Sequence, residues 1–137
     1  MTRFDPKAII IAMLLSLALD VLGAVVLYTV FGAGLDESMS PEQMKAAVLT
    51  MQQNTSFLLA SLAYGTATTV FGGYVAARLA RAYPYFNALA VGVLGIALGL
   101  VLGSDSPGWV DALAYLVSVP AALLGGHLGQ QRRQRNQ

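Results

Sequence analysis

The chain has 137 residues, of which 56% are hydrophobic and 11% are charged. Soluble domains usually carry about 25% charged residues, so this composition excludes an ordinary soluble protein and indicates a chain that resides in a lipid bilayer. The sequence contains no cysteine, which excludes disulfide bonds, thiolate metal ligands and thiol redox chemistry.

Four apolar segments of the sequence are close to the length that a membrane span requires. A hydrocarbon core about 30 Å thick is crossed by about 20 apolar residues in a helix. Helices are expected because lipid offers no hydrogen-bond partners to peptide groups. The segments cover residues 8–31, 57–80, 86–103 and 109–128. We therefore predict an all-α polytopic membrane protein with four transmembrane helices, in a single domain over residues 1–137.

The first segment begins like a secretory signal sequence, because Arg3 and Lys7 precede its apolar residues. The apolar stretch runs on to Phe31, which makes it longer than the hydrophobic region of a typical signal peptide. It also lacks a convincing cleavage site of small residues at the expected distance. We therefore predict an uncleaved first span.

Asp20 is the one ionisable residue well inside a predicted span. It lies about 18 Å from the start of its segment at about 1.5 Å per residue, which is near the bilayer midplane. At the same depth, spans two and four contain hydroxyl side chains that can partner it, namely Thr68, Thr69 and Tyr115. A carboxylate at this depth costs about 2.5–3.5 kcal/mol, so we expect it to face the interior of the bundle.

Two interpretations of Asp20 stay open. In the first, it is a neutral acid that joins helices through hydrogen bonds. In the second, it is a proton-binding or cation-binding site. We favour the first, because no basic residue and no second acid lies deep within a predicted span, where a proton relay to Asp20 would need it.

The segment of residues 32–56 is the only long connection between predicted spans. Ser40, Pro41 and Gln43 have the spacing of an N-cap, a first-turn proline and a capping-box partner, so a short external helix is predicted here. Its apolar residues recur at helical spacing, which makes it amphipathic. It either lies on the membrane surface, extends span two or docks a partner protein.

Basic residues mark one side of the predicted membrane protein. Seven of the eight Lys and Arg residues lie at the N-terminus, in the turn between spans two and three, or at the C-terminus, and the exception is Lys45. Cytoplasmic loops collect basic residues, so we predict that both termini are cytoplasmic. The basic tail of residues 129–137 is predicted to anchor this topology against anionic lipid.

Small residues recur at a spacing of four in three of the predicted spans, a pattern that lets helix backbones approach closely in lipid. The rows contain Gly72 and Ala76 in span two, Gly95, Gly99 and Gly103 in span three, and Gly125 and Gly129 in span four. We predict that they are helix-packing seams, either within one chain or between chains. The alternative is that the glycines line a permeation path.

The run Phe-Gly-Gly-Tyr-Val-Ala-Ala-Arg-Leu-Ala at 71–80 is followed by Asn-Ala-Leu at 87–89 and by an apolar ending at 120–126. Over spans two to four, this pattern resembles small four-span bacterial inner-membrane proteins of uncharacterised function with a Gly-Gly-Tyr-x-Ala-Ala-Arg segment. The resemblance implies a multi-pass protein of the bacterial inner membrane. It implies no activity and no site residues.

The sequence holds no residue combination typical of catalysis, cofactor binding or a metal centre. His127 stands alone near the end of span four, where it lacks the neighbours that a metal ion would need. The basic tail has no interleaved aromatic residues of the kind that nucleic-acid binding would favour. We therefore predict neither an enzyme nor a metal, cofactor or nucleic-acid binding protein.

The resulting functional prediction is a noncatalytic inner-membrane protein that acts as an assembly or accessory component. Its expected partners are the lipid bilayer and either a second copy of the chain or a larger membrane protein, contacted through glycine-rich helix faces. The alternative is a small oligomeric transporter or channel with Asp20 as its proton or cation site.

Overall fold

The computed structural model describes residues 3–32, 36–103 and 106–135. These residues form five α-helices and no strand, which confirms the all-α prediction. The helices are α1 (Pro6–Phe31), α2 (Pro41–Gln52), α3 (Thr55–Leu79), α4 (Pro84–Leu102) and α5 (Gly108–Arg135). The four predicted spans correspond to α1, α3, α4 and α5, and α2 lies in the predicted external segment.

Side-chain caps define α2 and separate it from α3. Gln43 Oε1 accepts from the Ser40 backbone N–H over 3.0 Å, and Ser40 Oγ accepts from the Gln43 backbone N–H over 3.3 Å, which confirms the predicted capping box. Asn54 then caps α3 by accepting from the first backbone N–H groups of that helix. Because a new cap follows so soon after α2 ends, α2 is a helix of its own and not an extension of α3.

α3 is the central helix of the bundle. It contacts α1, α4 and α5, and its most extensive contact is with α5. α1 lies at the edge of the bundle, so much of its apolar surface is open, and Leu14, Val26 and Val30 are 60–65% exposed. Such exposure suits a helix whose outer side faces lipid and not water.

Glycine permits the close approach of α3 and α5. A Cβ atom at Gly125 would overlap the carbonyl oxygen of Val70, and one at Gly73 would overlap the carbonyl oxygen of Ala122. These obstacles are backbone atoms, which cannot swing aside as the end of a long side chain can. The α3–α5 seam therefore requires glycine at both positions.

Members of the predicted small-residue rows have different surroundings in the structure. The buried members are Gly72, Ala76, Gly125 and Gly129. A Cβ atom at Gly99 would lie 3.1 Å from the Tyr115 ring, and one at Gly95 would meet only the Ser118 hydroxyl, at 3.8 Å. Gly103 has open space around it and ends α4 with a φ of 71°. Gly103 therefore serves the end of α4 and not a contact between helices.

Three helices, not the four that the sequence predicts, are long and apolar enough to cross a membrane: α1, α4 and α5. α3 has sufficient length, at 25 residues, but its composition is too polar. Its hydroxyl residues include Ser56, Ser61, Thr66, Thr68 and Thr69. A helix that contacts three neighbours can carry such side chains towards the interior of the bundle, whereas a helix that faces lipid on most sides cannot.

α5 is longer than the predicted fourth span. It continues to Arg135, so most of the predicted basic tail is helical. Gln and Arg are good helix formers, and the arginines of the last turn interact favourably with the negative end of the helix dipole. Pro120 lies within α5, and the helix continues beyond it.

Candidate functional site at Asp20

Asp20 lies in the middle of α1, about 21 Å from the start of the helix at about 1.5 Å per residue. The hydroxyl of Thr68 on α3 donates to Asp20 Oδ1 over 2.6 Å. Thr68 is only 5% exposed, whereas the Asp20 side chain is exposed. The carboxylate is thus held by a buried partner on one side and is open on the other.

The hydroxyl of Thr68 has two acceptors within reach. Besides Asp20 Oδ1, the Gly65 carbonyl oxygen lies 3.0 Å away. A hydroxyl has one proton, so it donates to one of the two at a time. When Asp20 is ionised, Thr68 donates to the carboxylate. When Asp20 is protonated, it donates to Thr68, which then donates to the Gly65 carbonyl, so the site satisfies both forms of the acid.

A second contact fixes α1 against α3 at this level. The Tyr64 hydroxyl donates to the Leu19 carbonyl oxygen over 2.6 Å. The Tyr64 ring also occupies the space where a Cβ atom at Gly23 would lie. The backbone next to Asp20 is therefore anchored to α3. Sequence reasoning missed this contact, because neither Tyr64 nor Gly23 belongs to a recognisable motif.

A cavity of about 380 Å³, which we call the polar cavity, extends from Asp20 between α3, α4 and α5. It reaches the end of the bundle near α2, where Gly103 and Asp111 line it. The polar side chains that line it besides Asp20 and Thr68 are Ser61, Thr66, Thr69, Asp111, Tyr115 and Ser118. Water and polar solutes therefore find hydrogen-bonding partners along its length.

A second cavity of about 430 Å³, the apolar groove, lies between α1 and α4. Its walls are mainly aliphatic and include Met13, Leu14, Leu17, Leu98 and Leu102. Asp20, Thr68, Thr69 and Ser118 line both this groove and the polar cavity. Asp20 thus stands where a polar space and an apolar space meet.

The other two predicted partners of Asp20 line the polar cavity without binding the carboxylate. Thr69 donates to the Gly65 carbonyl of its own helix over 2.8 Å. The Tyr115 ring lies against Gly99, and among the described residues no hydrogen bond joins its hydroxyl to Asp20. Of the three candidates, only Thr68 is a direct partner of the acid in this structure.

A hydrophobic cluster lies between Asp20 and the end of the bundle that carries Arg3, Lys7, Arg81 and Arg133, which we call the basic end. Residues of α1, α3 and α4 form this cluster, and its buried members are Ile9, Ala12, Ala76 and Val91. A separate groove at the basic end shares no lining residue with the polar cavity or the apolar groove. No described cavity therefore connects Asp20 with the basic end.

Asn87 joins the chain segments at the basic end. It is fully buried, its Oδ1 accepts from the Asp5 backbone N–H over 2.7 Å, and its Nδ2 donates to the carbonyl oxygens of Ala82 and Tyr83 over 3.1 Å and 3.0 Å. The start of α1 and the turn before α4 are thereby tied to one side chain. Sequence reasoning missed this role, because an isolated asparagine does not reveal which backbone groups it will meet.

Asp5 and Arg133 join the start of α1 and the end of α5 to the turn between α3 and α4. The backbone N–H of Arg81 donates to Asp5 Oδ2 over 3.3 Å, and this hydrogen bond holds the pKa of the Asp5 carboxyl below its ordinary value of 3.8. The Arg133 guanidinium donates to the carbonyl oxygens of Ala80 and Arg81 over 2.5 Å and 3.3 Å. The end of α5 is thus attached to the same turn as the start of α1.

His127, which the sequence analysis sets aside as a metal ligand, is exposed at the basic end. Its ring nitrogens lie 2.9 Å from the Tyr85 hydroxyl and 2.7 Å from Gln131 Nε2. Within the described part of the chain, no three acidic, His or Cys side chains are grouped so that they could hold a metal ion.

No family model, curated protein or solved structure matches this chain.

Proposed function

We propose that this chain is a noncatalytic integral membrane protein that binds a proton or a cation at Asp20, as a small oligomeric transporter or channel. The observation that carries the proposal is the position of Asp20, in the middle of a long apolar helix and open to a polar cavity. An acid that served only as a link between helices would be expected to be enclosed by them. The open position of Asp20 therefore favours the transport role over the accessory role.

The proposed topology has four membrane crossings, with α3 as the fourth. α3 is long enough, and its position between α1, α4 and α5 gives its hydroxyl groups an interior environment. Four antiparallel crossings bring both termini to the basic end. Basic residues favour the cytoplasmic side, so we infer a bacterial inner-membrane protein with the polar cavity opening away from the cytoplasm.

A flux assay in proteoliposomes tests the transport role. The native chain and Asp20→Asn are reconstituted, and a pH gradient is imposed while internal pH is recorded. We expect proton-dependent flux in the native chain and its loss in Asp20→Asn. The matched control is Asp36→Asn, which removes an exposed acid that lines neither cavity. Equal and negligible flux in all three proteins would remove the transport proposal.

The accessory role remains the second candidate, and the open apolar side of α1 favours it. The small-residue rows of α3 and α5 are occupied by contacts within the chain, so they offer little surface to a partner. α1 instead presents a row of exposed aliphatic side chains. Copurification from native membranes tests this role: a stoichiometric partner lost on Val26→Ala and Val30→Ala supports it, and retention of the partner contradicts it.

A further inference from the structure

The surroundings of Asp20 combine its own carboxylate, hydroxyl groups and an aliphatic wall, and a second acid, Asp111, lines the polar cavity at its end near α2. The carboxylate accepts from Thr68 and faces both the polar cavity and the apolar groove. Among the described residues that line these two spaces, none is Lys, Arg or His. A carboxylate in the middle of a membrane-spanning helix without a cationic partner is costly, so the site favours a ligand that brings a positive charge.

A divalent inorganic cation fits this site poorly. Ca²⁺ requires 6–8 oxygen ligands and Mg²⁺ prefers an octahedral set, whereas Asp20 supplies one carboxylate beside a few hydroxyls. The hydroxyls of Thr69 and Ser118 donate to the carbonyls of Gly65 and Gly92 over 2.8 Å and 3.1 Å, so they keep their lone pairs but add no negative charge to the site. A cation that needs a single counter-charge and little coordination suits these groups better.

Volume and lining of the two spaces suit an organic molecule. Cavities of about 300–1,000 Å³ with mainly apolar walls and a few polar groups are typical of small-molecule sites. The apolar groove, at about 430 Å³, meets this description, and Leu17 and Leu98 line it together with Asp20. Tyr115 lines the polar cavity and presents an aromatic ring to the same region, which is a further favourable neighbour for a cation.

We propose that the apolar groove and the polar cavity together bind an organic cation with apolar substituents, whose charged centre lies against Asp20 and whose substituents lie along the aliphatic wall. This inference rests on the proposed function and names its substrate class. Binding to a protonated Asp20 displaces one proton, since a single carboxylate cannot hold both. The other ionisable groups that line these spaces are Asp111 and Tyr115, both from α5, while α3 and α4 contribute none.

The test uses tetraphenylphosphonium and the purified full-length chain in detergent, with binding measured by equilibrium dialysis. Asp20→Asn removes the charge. Gly95→Leu fills both spaces, and it is tolerable because a Cβ atom at Gly95 meets only the Ser118 hydroxyl. The matched control is Gly108→Leu, where a Cβ atom meets nothing within 4 Å and neither space is lined by the residue.

We expect the native chain and Gly108→Leu to bind tetraphenylphosphonium equally, and Asp20→Asn and Gly95→Leu to bind it about tenfold more weakly or worse. Equal binding by all four proteins overturns the proposal. Displacement by sodium chloride but not by choline chloride of equal ionic strength also overturns it, since the site would then select an inorganic cation.

Infrared titration of the Asp20 carboxyl separates this inference from the proposed function. If the native chain does not bind tetraphenylphosphonium but shows a titrating carboxyl band that Asp20→Asn removes, the organic-cation proposal is wrong and proton binding stands. If that band is also missing, both proposals fail. If the native chain binds tetraphenylphosphonium and the ligand shifts the carboxyl band, the result supports both proposals.

Discussion

The basic end of the bundle and the level of Asp20 use polar groups in opposite ways. At the basic end, Asn87 is fully buried, and its hydrogen bonds connect the start of α1 with the turn before α4. At the level of Asp20, polar side chains face open space and only Thr68 holds the acid. A polar group whose bonds are all made within the protein holds the fold together, whereas one that is left open is available to a ligand.

The largest expected effect is a loss of stability when the α3–α5 seam is disturbed. Gly125→Ala places a Cβ atom on the Val70 carbonyl and is expected to destabilise the fold by about 1–3 kcal/mol or more, because backbone must move. Gly65→Ala is the matched control, since Gly65 faces the polar cavity and a Cβ atom there meets nothing within 4 Å. Gly65→Ala should stabilise the fold by about 0.5–1 kcal/mol, because alanine is favoured over glycine in the middle of a helix.

Thermal unfolding in detergent compares these two substitutions with the native chain. We expect the unfolding midpoint to fall for Gly125→Ala and to rise for Gly65→Ala. A Gly125→Ala protein that is as stable as the native chain would show that α3 and α5 are not packed as closely as described.

The second prediction concerns the connection at the basic end. Asn87→Ala removes the acceptor of the Asp5 N–H and the donor to two carbonyl groups, and it should cost about 1–3 kcal/mol. Gln134→Ala, at an exposed position of α5, should change the stability by less than about 0.5 kcal/mol. Chemical unfolding of both variants measures the difference, and equal stabilities would contradict a structural role for Asn87.

The helices could be predicted from the sequence, but the central position of α3 in the bundle could not. Apolar length and capping residues mark the helices because they act locally, and the Ser40–Gln43 capping box is a case in point. Hydropathy alone does not show which helix is central. The sequence therefore predicted four similar spans, whereas the central helix α3 lacks a stretch as apolar as those of α1, α4 and α5.

The site could be predicted only in part. Counting depth along each span puts Thr68 level with Asp20, and the two are hydrogen-bonded in the structure. Depth does not give the rotation of a helix about its axis, so Tyr115 lies at the right level without reaching the acid. The contact between Tyr64 and Leu19 depends on how α1 and α3 pack, which no local pattern in the sequence encodes.

The smallest expected effect is a pH dependence at the basic end. The pKa of Asp5 is lowered in the folded state, mainly by the hydrogen bond from the Arg81 N–H. Its ionised form therefore stabilises the fold above the ordinary value of 3.8, and this contribution is lost as the pH falls below that value through the lowered pKa. Unfolding midpoints between neutral and strongly acidic pH should fall more for the native chain than for Asp5→Asn. Parallel curves would contradict a role for this carboxylate.

We propose that Asp20 is reached from the α2 end of the bundle, along the polar cavity, and not from the basic end. The chain has no cysteine, so single cysteines can be introduced without background. Ser61→Cys and Thr69→Cys line the polar cavity, and Ala76→Cys lies in the buried cluster as the control.

A membrane-impermeant maleimide, applied to right-side-out and to inverted vesicles, gives the most direct measurement. We expect Ser61→Cys and Thr69→Cys to be labelled only from the side of α2 and Ala76→Cys to be labelled from neither side. Labelling of Thr69→Cys from the side of the basic end would contradict this proposal.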